Sequence, residues 1–299
     1  MAYILQVQDK KWQASAADAH QLHSVIHPWQ DPADRPDPQA FFLPAAHAQP
    51  VKAGGWTGAV SAGSSVNCAT VTLCAHGCGT HAEGLGHATI APHHLWEHIP
   101  VPCGPLACSV LTPQLASVAS LSEAQREGLT AAAEPEDQVV TAEALQAAAS
   151  AASYADVGVL DGWNQAVVVR AAPASDGPRV WSGHNPPYFT PAATGWLREV
   201  GIRVLATDLP SMDKESDGGV LGAHRAFWGL PPASAGRDET EAAAHRLEAE
   251  GRLVVEMCTP PSAQVQPDGP ACLLLGVAPL AMDAAPAAAQ LCAVQQVLS

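Results

Sequence analysis

The chain has 299 residues, 47% of them hydrophobic and 14% charged, with a formal net charge of −15. That composition supplies a sizeable buried core and excludes a natively disordered chain. A surface this acidic repels the phosphates of nucleic acids and anionic lipids, so no nucleic acid and no membrane is expected among its partners.

The N-terminus, MAYILQVQDKKWQ, lacks an apolar run behind a basic start, and nowhere do about 18 apolar residues follow one another. Neither a secretory signal nor a membrane span is expected, and the location expected is cytoplasmic. The eight cysteines include no C-x-x-C pair and are expected as free, mostly buried thiols.

Residues 1 to about 50 read as an irregular, Pro-rich N-terminal arm. Pro28, Pro32, Pro36, Pro38, Pro44 and Pro50 recur too often for long helices or central strands. Phe41 and Phe42 in this arm would cover a pocket, an interface or the core. The remainder, 51–299, reads as one domain. Val66 to Leu73 (VNCATVTL) suits a strand. Residues 109–150 are rich in Ala, Ser and Glu, and Thr141 can start a helix over 141–153. Ala166 to Arg170 (AVVVR) is a buried-type strand, and its arginine is expected to pair with a carboxylate.

The clearest helix is 191–200, capped by Thr190, opened by Pro191 and stopped by Gly201, with an apolar stripe of Ala193, Trp196, Leu197 and Val200. Ile202 to Thr207 reads as a buried strand, left through the turn Asp208 to Ser211. A second helix follows from about Gly219 to Trp228, and a polar helix near 237–250 ends at Gly251. Leu253 to Cys258 is another strand. Turns at Pro260–Pro261 and Pro267–Pro270 precede a last strand, Ala271 to Val277. The pattern is mixed α/β, without internal repeats.

Between the first strand and the helices stands His76-Gly-Cys-Gly-Thr-His81-Ala-Glu83-Gly-Leu-Gly-His87. Three imidazoles and a carboxylate fall within twelve residues, and these are the usual ligands of zinc, manganese and iron(II). In extended chain His81 and Glu83 share a face, and a glycine-rich bend can bring His76 and His87 to the same point. The competing reading is a His-rich surface loop in a chain with 13 histidines. Glu256 interrupts an apolar strand, where a carboxylate needs a metal, a cation or hydrogen bonds. His224 lies on the apolar face of its helix, as a satisfied core histidine or a functional one. Cys78 as a nucleophile, or Cys74 and Cys78 with His81 as a zinc knot, are weaker readings. His93, His94 and His98 are expected to be solvated or to sit behind the ligands. Trp181 to Tyr188 resembles a pocket wall in which His184 and Asn185 stand out.

The string G-T-H-x-E-x-x-x-H at 79–87, with a histidine three residues before the glycine, resembles the signature H-x-G-T-H-x-D-x-P-x-H of the kynurenine formamidase-like cyclase superfamily. One residue is added between His76 and Gly79, Glu83 replaces Asp, and Leu85 replaces Pro, as in a divergent branch where H-x-x-G-T-H-x-E recurs. Asp208-Leu-Pro-Ser-Met-Asp213 followed by Ala223-His224, Glu256 in LVVEMC, and Asp283-Ala-Ala-Pro286 resemble further elements of that superfamily. The resemblance covers about residues 40–290.

It implies an α/β fold, a swivelling β/β/α-type single domain with a mixed sheet core and flanking helices, assembled as a homodimer or homotetramer. It implies a metal-dependent hydrolase that cleaves a C–N bond (amide, formamide or lactam), or a related ester, of a small aromatic or cyclic substrate through metal-bound hydroxide. The ligands of the divalent metal, Zn or Mn, would be His76, His81, Glu83, His87 and Glu256, around one ion or two. His224, Glu256 and His87 would be catalytic, with His224 in general acid/base work oriented by Glu256 or Asp213. A metal-dependent lyase or ring-forming cyclase, and a metal-containing binding protein without turnover, are the alternatives.

Overall fold

Short apolar, β-branched runs become strands here because both of their faces are buried. The computed structural model describes residues 1–30, 37–90, 104–152, 165–173, 180–247, 250–260 and 262–297. Its principal strands are β1 (Ala2–Val7), β2 (Lys10–Ser15), β3 (His81–Glu83), β4 (Pro105–Leu111), β5 (Ala166–Val169), β6 (Val204–Thr207), β7 (Leu253–Glu256), β8 (Gly269–Val277) and β9 (Ala284–Val297). Its longer helices are α1 (Ala142–Ala151), α2 (Pro191–Glu199), α3 (Gly222–Trp228) and α4 (Arg237–Leu247).

The strand order is β9–β8–β4–β5–β6–β7–β3, and β3 returns to pair with β9. Among the described residues, seven strands therefore close into a barrel. β4 to β7 pair in parallel, whereas β3, β8 and β9 join antiparallel, so the sheet is mixed as expected. Alternate side chains, such as Val110, Val168, Ala206, Val255, Leu273 and Leu291, pack together inside it. The intervening Val167, Val169, Leu205 and Val254 point outward and are covered by α1 through Leu145, α2 through Leu197, α3 through Phe227 and α4 through Ala244.

The helix boundaries follow local chemistry where the cap is local. Thr190 accepts from the Ala193 amide at the start of α2, and Gly201, at φ 90°, lies just past its end. The helix expected from Gly219 instead begins at Gly222, because Asp213 accepts from the Ala223 and His224 amides and supplies the cap from ten residues upstream. The expected helices over 141–153 and 237–250 end, within the described residues, at Ala151 and Leu247. Arg170 does pair with a carboxylate, that of Asp268, while its Nε donates to Thr112 Oγ1 at 2.9 Å and its Nη1 to the Gln266 carbonyl at 2.8 Å.

The irregular arm expected over residues 1–50 is corrected in its first part. β1 and β2 form a hairpin, β2 continues along β9, and His20–Gln21 pairs with β9 as well. Trp12, fully buried, anchors the hairpin against Leu5, Val7, Cys272 and Cys292. The prolines gather only from Pro28 onward; Pro32 and Pro36, like His93, His94 and His98, lie outside the described residues. The strand expected over 66–73 is shorter, Ala69–Thr72, and pairs with His47–Pro50 in a separate, exposed two-stranded sheet. Among the described residues no helix is long and apolar enough to cross a membrane.

Candidate metal centre

β3 is only three residues long, yet it closes the barrel and carries two donors. Alternation sends Ala82 into the barrel interior and turns His81 and Glu83 outward, beneath α3. Both are buried all the same, at 0% and 1% exposure. On β7 the residue opposite His81 is Glu256, also buried. One strand register thus assembles His81, Glu83 and Glu256. His81 Nε2 lies 3.0 Å from Glu83 Oε1 and 3.6 Å from Glu256 Oε2.

Three further imidazoles converge on the same carboxylates. His76, in the 3-10 turn Ala75–Gly77, places Nδ1 2.5 Å from Glu83 Oε1. The chain then reverses through Gly79 at φ 128°, a conformation strained for any side-chain-bearing residue, and a Cβ there would also press on Ser24 and Ile26. His87, in the 3-10 turn Leu85–Ala88, brings Nε2 within 4.0 Å of Glu83 Oε2. His224, on α3, sets Nε2 3.2 Å from Glu83 Oε2 and 3.3 Å from Glu256 Oε1. Each oxygen of Glu83 therefore faces two imidazoles. All six candidate residues, His76, His81, Glu83, His87, His224 and Glu256, lie in one cluster.

The rings are held from behind. His81 Nδ1 donates to the Gly79 carbonyl at 2.9 Å, and His224 Nδ1 donates to Asp213 Oδ2 at 2.7 Å. Glu256 Oε1 accepts from the Met212 amide at 2.8 Å. The segment 208–213 thus serves the site twice, through Met212 and Asp213. Glu256 does not orient His224 from behind; it faces the same nitrogen as Glu83 does.

Whether these residues fit a cation can be read from atoms left over. Glu83 Oε2 and His224 Nε2 are buried and lack a hydrogen-bond partner, although they sit 3.2 Å apart. An unsatisfied buried polar atom costs about 1–3 kcal/mol. The free oxygen of Glu83, beside a second carboxylate, is what a divalent cation satisfies, and the Nε2 lone pair of His224 stays free beside it to take a proton. Three trios offer ligand atoms within 4.8 Å of one another: His76, His81 and Glu83; Glu83, His224 and Glu256; and His76, His87 and Asp283. The donor set fits a divalent metal.

The electrostatics agree. Burial opposes charge on His81, but its hydrogen bonds with Glu256 and Glu83 outweigh that and push its pKa up to about 9. His76 is likewise opposed by burial and is pushed up to about 10 by Asp283 and Glu83. Burial would raise the pKa of Glu83, yet the charge of His87 and the close approach of His224, His76 and His81 hold it well below the usual carboxylate range. Glu83 keeps its charge, and in the metal-free protein protons on His76, His81 and His224 balance it.

That balance has a sign. An imidazole whose folded pKa exceeds its ordinary 6.5 stabilises the fold fully below pH 6.5, and the stabilisation is lost as pH rises toward 9 for His81 and 10 for His76. The Tm of metal-free protein is expected to fall from pH 7 to 10, whereas metal-loaded protein, whose ligands are already deprotonated, is expected to show no such fall. Parallel thermal melts with and without chelator check this; parallel slopes would contradict it.

Other residues singled out in the sequence lie elsewhere. Cys78 is buried and donates to the Cys74 carbonyl at 2.8 Å. His184 is exposed, its Nδ1 at 3.0 Å from the Ser182 carbonyl. Asn185 donates to Asp137, which Tyr188 and Lys214 also contact. Phe41 packs with Ala40, Trp181 and Met257, and Phe42 is exposed. Asp283 was visible only as part of a motif. The structure sets its Oδ2 3.2 Å from His76 Nε2 and 3.7 Å from His87 Nδ1, at the rim of the cluster.

Comparison with solved structures returns folds of low identity. An isatin hydrolase bound to the product analogue thioisatinate aligns at 15% identity and TM-score 0.49, over 93% of this chain and 92% of that one. A predicted metal-dependent hydrolase from Bacillus stearothermophilus aligns at 13% identity and TM-score 0.48, over 91% and 97%. A potential metal-dependent hydrolase with cyclase activity aligns at 13% identity and TM-score 0.46, over 93% and 98%. No curated protein matches in sequence. The family model described as "Putative cyclase" matches residues 19–214, well over half of the chain. That stretch takes in His76 to His87 and Asp208 to Asp213, and the chain belongs to the cyclase family.

Proposed function

We propose that the protein is a metal-dependent hydrolase that opens a C–N bond of an amide, formamide or lactam, or a related ester, in a small aromatic or cyclic substrate. The observation that carries this reading is the pair of buried, partnerless lone pairs on Glu83 and His224, enclosed by further imidazoles and by Glu256. His76, His81, Glu83, His87 and Glu256 would hold one cation or two, and a His/carboxylate set suits zinc or manganese. A divalent cation in this setting supplies Lewis acidity and lowers the pKa of a bound water toward neutrality.

The chain's own residues do the rest. His224 is fixed by Asp213 at Nδ1, so its Nε2 is the atom that takes a proton from the attacking water and returns it to the leaving nitrogen or oxygen. Asp213 stabilises the imidazolium formed in between. The floor of the site, His81, Glu83, His224 and Glu256, is at most 1% exposed, which excludes bulk water and strengthens every charge interaction there. His76, His87 and Asp283 are partly exposed, so the substrate reaches the floor past them. His87, at that entrance, is the second group able to carry a proton.

Metal-loaded protein is to be assayed against a panel of formanilides, lactams and lactones in ¹⁸O-labelled water. Turnover with one labelled oxygen in the new carboxylate is expected. A product without the label would favour the ring-forming reaction that the family's name suggests, and an untouched panel would leave the hydrolase reading unsupported.

A further inference from the structure

A histidine that ligates a cation through one ring nitrogen commonly donates its other N–H to an oxygen, which fixes the tautomer and the ring plane. His81, a ligand candidate, shows this arrangement, and His224, the proton carrier beside it, is held in the same way. His81 Nδ1 donates to Gly79 O, and His224 Nδ1 donates to Asp213, each leaving Nε2 toward the carboxylates. His76 is turned the other way round. Its Nδ1 meets Glu83 Oε1 and so points into the cluster, while its Nε2 meets Asp283 Oδ2 at 3.2 Å.

We propose that Asp283 is the positioning residue of the rim: its carboxylate accepts the Nε2–H of His76, so that the Nδ1 lone pair is presented to the metal beside Glu83 and His81, and it steadies His87 from the same oxygen. This rests on the metal-site reading above and adds a residue to it.

Three observations converge on the assignment. The first is the pattern itself: His76 would be the odd ring if its Nε2 lacked an oxygen acceptor. The second is the placement of Asp283. It directly precedes β9, whose Ala284 pairs with Glu83, and its carbonyl accepts from the Gly84 amide at 3.1 Å, so the seam that closes the barrel also fixes this carboxylate against the ligand strand. The third is that one oxygen serves two rings. Asp283 Oδ2 lies 3.2 Å from His76 Nε2 and 3.7 Å from His87 Nδ1, and the two ring centroids are 4.5 Å apart. Loss of the side chain frees both rim histidines to rotate while leaving the backbone contact to Gly84 in place.

The test is zinc affinity, by chelator competition, for the wild type, Asp283→Ala and Asp283→Asn. Asp283→Ala is expected to weaken zinc binding by about 10- to 100-fold. Asp283→Asn, which keeps an oxygen acceptor of the same size, is expected to recover part of the loss, and it keeps the test open should the alanine variant fold poorly. Ring ¹⁵N spectra of the zinc-loaded wild type are expected to show His76 protonated at Nε2, and this signature is expected to disappear in Asp283→Ala. Equal affinity in all three proteins would overturn the assignment. So would loss of a whole equivalent of zinc with the remaining affinity unchanged, which would make Asp283 a direct ligand with His76 and His87. A wild type that binds no zinc, manganese or other divalent ion would instead remove the metal reading on which the assignment depends.

Discussion

His81→Ala is expected to strip the purified protein of its metal and to lower hydrolysis more than about 100-fold, beyond the range typical of losing an outer partner of a ligand. His81, like His224, stands between the two buried carboxylates, 3.0 Å from Glu83 and 3.6 Å from Glu256. Its removal takes away a ligand and leaves two negative groups facing a void. Breaking a buried charge pair in this way typically costs about 3–5 kcal/mol, so the variant should also melt well below the metal-free wild type. Elemental analysis beside circular-dichroism melts checks both parts. Metal content equal to that of the wild type would remove His81 from the ligand set.

The second large effect is expected at Asp213, where one carboxylate has two separable tasks. It caps α3 through the Ala223 and His224 amides, at 2.8 and 3.1 Å, and it orients the His224 ring at 2.7 Å. Loss of a cap costs about 0.5–2 kcal/mol, and loss of the oxygen behind a working histidine costs about 10- to 100-fold in activity. Asp213→Ala should lose both. Asp213→Asn retains an acceptor for the helix amides but offers His224 a weaker, uncharged partner, so its Tm should stay close to wild type while kcat falls. If the two variants lose activity and stability in proportion, Asp213 acts through the helix alone.

How much of this was legible beforehand depended on whether the deciding contact was local. His76, His81, Glu83 and His87 announce themselves because ligand chemistry shows as residue type within a dozen positions. Glu256 shows because a charge in an apolar strand requires a partner. α2 is legible nearly to the residue because its boundary signals, Thr190, Pro191 and Gly201, are local to it. α3 begins later than its sequence suggests because its cap comes from Asp213, ten residues away. The sequence of β9 does not announce a strand: Ala- and Gln-rich, it has little intrinsic strand preference, and it is extended because β8, β3, β2 and His20–Gln21 all pair with it. Without β9 the placement of Asp283 could not be seen. The N-terminal hairpin was hidden differently. Its alternation, Leu5 and Val7 in, Gln6 out, then Trp12 and Ala14 in, was present in the sequence, but the prolines of the following segment dominated the average over residues 1–50.

The seam between β3 and β9 joins residues about two hundred positions apart in the chain. β3 has only three residues with which to hold the two sides of the barrel together, and two of the three are metal-ligand candidates. A cation bound there would act as a rivet across the closure, since ion affinity for a site absent from the unfolded chain is also folding free energy. Filling the centre would then tighten that seam, and emptying it would lower the free energy that holds the two sides of the barrel together.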